Sequence, residues 1–164
     1  AVVIDERFGR HALGDPRAPL FQIMEMTLER RSLAQVRLWG RVLSRARLHG
    51  RVLWSEVTEE DRRAVGIKEE GADAGLSSFL VSAVEADVAA VFVERNGKIE
   101  VSMRAMPGFS VAEAALALGG GGHPLAAGCT LSGPLPEVQR LVMTTLDNSL
   151  AVQGFAQPQF AMPV

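Results

Sequence analysis

The sequence predicts an α/β fold: a mixed β-sheet with a central hairpin, helices packed against it, and a helical arm in front. Three observations predict it. The β-prone runs Val88–Arg95 and 98–104 meet at Asn96-Gly97, a dipeptide suited to a two-residue type I′ turn because both positions need positive φ. The other strand-like runs are separated by stretches with helical apolar spacing, the pattern of a sheet flanked by helices. The 164 residues are 48% hydrophobic and 22% charged, enough apolar content for one folded core and too much for general disorder.

Residues 1–18 carry Gly9, Gly14 and Pro16 and read as an irregular lead-in. Because the chain starts at Ala1 and not Met, an upstream segment is expected to be missing. Pro19 can open a helix to about Arg31, with Phe21, Met24 and Leu28 at helical spacing. Ser32 can cap a second, with Leu33, Val36, Trp39 and Leu43 as its apolar stripe. Gly50 marks a turn into a strand, Val52–Val57. Thr58 with Asp61 signals the start of a short helix to about Val65. Asp73 can cap another, carrying Leu76, Phe79, Leu80, Ala83 and Val84.

The hairpin follows. Its turn pairs Phe92 with Val101 and Val91 with Ser102, so Ile99, Val101 and Met103 share one face and Glu100, Ser102 and Arg104 the other. Ser110 with Glu113 reads as a capping box for a helix to Leu118, which Gly119 to Gly122 stop. Residues 126–131 read as a buried strand. Pro136 starts a last helix, with Val138, Leu141, Val142, Leu146 and Leu150 facing inward. The domain boundaries expected are 1–49 for lead-in and arm, 50–151 for the α/β domain, and 152–164 for a flexible Gln/Pro tail.

Composition also excludes functions. No apolar run is long enough to span a bilayer, and Asp5, Glu6 and Arg7 interrupt the place of a secretory signal. The single Cys129 excludes an intrachain disulfide framework and a cysteine-built zinc site, so a cytoplasmic location is expected. Cys129 itself reads as a buried apolar filler. The net charge of −2 argues against a broad nucleic-acid clamp. Charge is uneven, however: seven arginines and no acid lie between Arg30 and Arg51. Arg37, Arg41 and Arg45 recur on one helix face and suit a solvated surface, a phosphate contact, or docking against another domain. His11 and His49 lack partners at ligand spacing and are expected to face solvent. Trp39 and Trp54 are expected in the core.

The most informative stretch is Gly119-Gly120-Gly121-Gly122-His123-Pro124-Leu125-Ala126-Ala127-Gly128. A glycine run lets backbone N–H groups approach an anion, and an adjacent imidazole adds a donor. A plain helix-to-strand loop accounts for it equally well. No Lys-Ser or Lys-Thr follows, so it is no Walker A loop, and Pro124 and Leu125 break the dinucleotide fingerprint.

This string resembles the signature of the DHH-associated C-terminal domain of Asp-His-His phosphoesterases. The order of the flanking features agrees: the Trp-bearing strand, Ser77-Ser78-Phe79-Leu80, Val101-Ser102-Met103-Arg104 and Phe109-Ser110-Val111. Within that family the chain is most similar to the nanoRNase type. The resemblance implies that Gly120, Gly121, Gly122 and His123, assisted by Arg104, hold the end of a short RNA or a nucleotide bisphosphate such as 3′-phosphoadenosine 5′-phosphate. It implies manganese in an N-terminal catalytic domain whose Asp-His-His string is absent here. Asp5, His11 and Asp15 are too few to replace it. The expectation is a substrate-binding half that does not cleave alone, with homodimerisation possible. The alternative is a free-standing RNA-binding module, as in alanyl-tRNA synthetase tails.

Overall fold

The computed structural model describes residues 31–68, 71–155 and 160. The chain divides into two units, Ala1–Ser32 and Leu33–Val164, and the elements below lie in the second. In order they are α1 (Leu33–Leu43), β1 (Arg47–His49), β2 (Val52–Val57), α2 (Glu59–Val65), α3 (Leu76–Leu80), β3 (Val88–Arg95), β4 (Lys98–Ala105), α4 (Ala112–Ala117), β5 (Gly121–His123), β6 (Ala126–Ser132) and α5 (Leu135–Val152). The expected helix at 19–31 lies outside the described residues, as do His11, Asp5 and Asp15.

The strands form one six-stranded mixed sheet, ordered β1-β2-β3-β4-β6-β5. β2 and β3 run parallel, joined through α2 and α3, and every other pairing is antiparallel. The central hairpin has the register its turn implies: Phe92 opposite Val101 and Val91 opposite Ser102. Asn96 and Gly97 both adopt positive φ, at 52° and 74°. Ile99, Val101 and Met103 are buried on one face, as alternation requires.

Each face has its own core. On one, Trp54, Phe92, Val101 and Met103 pack with Val138, Met143 and Leu146 of α5 and Ala114 and Ala115 of α4. On the other, Ala89, Val91 and Val93 pack with Leu38 and Val42 of α1 and Leu76 and Leu80 of α3. Sequence places α1 in an arm before residue 50, yet its buried side chains belong to this second core. The expected stripe is also displaced: Leu33 and Val36 are exposed, and Leu38 and Val42 carry the burial. The apolar arc of α1 is wide enough for either set, and packing against Ala89, Val91 and Val93 buries Leu38 and Val42.

The start of α2 is capped as Thr58 and Asp61 foretell, with reciprocal bonds between side chains and backbone. Two other caps differ. Asp73 does not cap α3. It receives Arg62 and Arg95 (2.9 and 3.1 Å), while Gly75 at φ 87° precedes a helix of only five residues. Phe79 and Val84 are consequently exposed, at 53% and 87%. At α4 the cap position is Val111, whose N–H donates to the Pro124 carbonyl (2.9 Å). Ser110 still bonds Glu113 through its hydroxyl and accepts from the Ala112 N–H. On α5, Val138, Val142, Leu146 and Leu150 are buried as expected, but Leu141 points outward.

His49 does not face solvent. Its Nε2 lies 3.0 Å from Asp147 Oδ2 of α5, its side chain is 12% exposed, and its ring meets Phe160 edge-on. Phe160 also packs on Trp54, and Phe155 stacks on Phe109, so these two residues after position 151 lie against the core.

Candidate substrate-binding face

The glycine–histidine stretch is not an open loop. Gly119 and Gly120 end α4: the Gly119 N–H donates to the Leu116 carbonyl and the Gly120 N–H to that of Ala115, with Gly119 at φ 79°. That is a Schellman termination. Gly121–His123 then forms β5, the last strand of the sheet, and Pro124-Leu125 turns it back into β6. Glycine has poor strand propensity, so local sequence gives no sign of β5. Pairing with β6 supplies what propensity lacks.

Three of the glycines answer to close backbone packing. A Cβ on Gly120 would stand 2.1 Å from the Gly128 carbonyl oxygen, and one on Gly128 would stand 2.6 Å from that of Val101. Gly122, at φ 144°, would place a Cβ 2.5 Å from the Ala126 carbonyl oxygen. Gly121 differs, because a Cβ there meets nothing. The Gly120 amide is committed to a helix carbonyl, so of the four glycines Gly121 and Gly122 lie on the strand that borders the sheet.

Register brings the two side chains of interest together. Arg104 on β4 stands opposite Ala126 on β6, and Ala126 stands opposite His123 on β5. Residues directly opposite share a face, so Arg104 and His123 flank one methyl group on the same side. This is the face of α1 and α3, but over β6 and β5 it carries only Ala126, Gly128, Thr130, Ser132, Gly121 and His123. His123 and Gly121 are exposed, and Arg104 is half-buried. The Arg104 Nη1 donates to the Met103 carbonyl (3.0 Å), which holds the fork while leaving four of its five N–H donors for other partners. Ser77 of α3 bonds Ser102 of β4 (3.0 Å) at the edge of the same surface, a contact no local sequence signal announces. A guanidinium and an imidazole over a floor of small residues can together grip a phosphate.

The family of the chain follows from comparison. The DHHA1 domain matches residues 58–150, more than half of the sequence. The chain belongs to the DHHA1 family. A curated relative, the bifunctional oligoribonuclease and PAP phosphatase NrnA of Thermus thermophilus, is 35% identical over 139 residues, covering 82% of this chain and 41% of the relative. An exopolyphosphatase-related protein from Bacteroides fragilis shares the fold, with a TM-score of 0.75, 20% identity, and coverage of 82% of this chain and 40% of that one. The chain thus spans about two fifths of the length of each of these two proteins. In this DHHA1 chain, no group of three or more His, Cys, Asp or Glu side chains among the described residues is placed to hold a metal ion. No helix among the described residues is long and apolar enough to cross a membrane.

The other candidates fall elsewhere. Arg41 and Arg45 are turned inward to Asp61: Arg41 Nε and Arg45 Nη1 each lie 3.0 Å from its Oδ1, and Arg45 Nη2 donates to the Glu56 carbonyl (2.7 Å). They tie α1 and the segment after it to β2 and α2, while Arg41 keeps 46% of its side chain exposed and Arg37 is exposed. Burial pushes the Asp61 carboxyl up, but hydrogen bonds from Arg45, Thr58 and Arg41 prevail and hold it well below the usual carboxylate range. Trp54 is in the core against Phe92, and Trp39 packs on Phe79 while donating to the Ala72 carbonyl. Cys129 is buried, and burial pushes its thiol up to about 11.

Proposed function

We propose that this chain is the substrate-binding half of a cytoplasmic nanoRNase-type phosphoesterase. It holds the terminal phosphate of a short oligoribonucleotide, or of 3′-phosphoadenosine 5′-phosphate, for hydrolysis at a manganese centre on an N-terminal DHH domain. The observation that carries this reading is the Arg104–Ala126–His123 row, which sets a fork donor and an imidazole on one open face. Arg104 supplies paired N–H groups to two phosphate oxygens, and His123 approaches a third from the strand at the border. Family membership and the likeness to NrnA support the substrate class.

In this reading the chain binds and orients, and cleavage belongs to residues of the other domain. Rate then depends on bringing the two bodies together around the substrate. The test is a titration of the 164-residue chain with a fluorescent 5′-phosphorylated diribonucleotide. Arg104→Ala and His123→Ala are each expected to weaken binding about tenfold or more, the scale of one lost charge-assisted hydrogen bond. Affinity unchanged in both variants would overturn the assignment.

A further inference from the structure

Beside the Arg104 row lie two further rows on the same face, Ser102–Gly128–Gly121 and Glu100–Thr130. Ser102, Gly128, Glu100 and Thr130 of these rows line an open cleft of about 510 Å³, bounded also by Asp73 and Gly120. Its floor is bare peptide where Gly120 and Gly128 pack too closely to admit a Cβ. Its walls offer acceptors: the carboxylates of Asp73 and Glu100 and the Thr130 hydroxyl. No lysine or arginine is among the described residues that line it. The nearest guanidinium groups are already held, with Arg62 and Arg95 on Asp73 and Arg95 Nε 3.0 Å from Glu100 Oε2. Glu100 nevertheless keeps 46% of its side chain exposed, so its carboxylate is reachable from the cleft.

With both carboxylates already paired to Arg62 and Arg95, the cleft offers a second phosphate no unclaimed cation and carries little net charge of its own. A flat, neutral group carrying N–H donors satisfies it. A nucleotide gripped by its phosphate at Arg104 and His123 has its base one or two sheet rows away, which is where the cleft opens. We propose that the cleft is a nucleobase subsite, with Glu100 the acceptor that favours a base bearing an exocyclic amino group. This rests on the reading of Arg104 and His123 as the phosphate grip. Cytosine presents an amino group where uracil presents a carbonyl oxygen, and the latter would set lone pairs against the Glu100 carboxylate.

The experiment compares 5′-phosphorylated dicytidylate with diuridylate, two ligands of equal size, charge and stacking area, on the full 164-residue chain. The wild type is expected to bind dicytidylate about fivefold more tightly, the scale of one exposed charge-assisted hydrogen bond. Glu100→Ala is expected to bring the ratio close to one, by weakening dicytidylate and by relieving the repulsion of diuridylate. Should that variant fail to fold, Glu100→Met, of similar length and without an acceptor, serves instead. Equal wild-type affinities that both fall in Arg104→Ala would overturn the subsite and leave the phosphate grip standing. A ratio that survives loss of the Glu100 carboxylate would overturn the role of that residue. Absence of binding by either ligand would overturn both readings together.

Discussion

Arg45 grips Asp61 with both terminal nitrogens of its guanidinium, and one of them reaches on to the Glu56 backbone carbonyl. Asp61 is 2% exposed, so an uncompensated charge there has no water to turn to. Arg45→Ala is expected to cost about 3 kcal/mol, the scale of stranding one partner of a buried pair. Urea unfolding at neutral pH measures it. A loss near zero would mean that Arg41 alone suffices.

The same pair sets a pH dependence. The folded carboxyl of Asp61 is held below its unfolded value. Its contribution is therefore fully present above an unfolded pKa of about 3.9 and is lost as pH falls below that toward the folded value. Thermal melts between neutral pH and about pH 3 should show this decline. Asp61→Asn should be less stable at neutral pH and show a shallower decline. An unchanged slope would remove Asp61 as its source.

The glycines should separate cleanly by substitution. Gly121→Ala meets open space at an ordinary φ, so its melting temperature should match the wild type or rise slightly. Gly120→Ala and Gly122→Ala would drive a Cβ into backbone atoms and should unfold or melt far lower. If Gly121→Ala proved the most damaging of the three, close packing would not be what the run is for.

Binding should depend weakly on salt. A single terminal phosphate gripped by one fork and one ring releases few counterions, giving a log–log slope of about −1. Arg104→Lys should not restore wild-type affinity, because an ammonium cannot engage two oxygens in the plane of a fork. A slope several times steeper would point to a basic groove along a longer strand.

Cys129 offers an independent check of the sheet. With its thiol pushed up to about 11 by burial, it should react slowly with a disulfide reagent at pH 7.5 and at once in denaturant. Rapid reaction of the native protein would contradict the packing of β6 against α4.

The legible parts of the fold are those whose signals are local. Asn96-Gly97 fixes turn, register and face together, and Thr58 with Asp61 places a helix start to the residue. Less legible were features decided at a distance. Asp73 has the chemistry of a cap, but two arginines from other elements claim it. His49 meets a partner 98 positions away, which no spacing rule can reveal. Ser110 still bonds the Glu113 carboxylate and the Ala112 N–H, but its own N–H goes to Gln153 and the Pro124 carbonyl ties Val111 down, so the helix starts one residue later. Arg104 and His123 were marked by motif, but their common face became visible only once Gly121–His123 proved to be a strand. The cleft at Glu100 had no local signal, since its shape comes from glycines in one element packing on carbonyls of another.

The border strand β5 is three residues long and nearly free of side chains. A foreign polypeptide adding itself alongside would gain only a rung or two of ladder, too little to repay its lost freedom. Brevity thus guards this margin against fibrillar stacking, while its three exposed residues leave room for a visitor the size of a nucleotide.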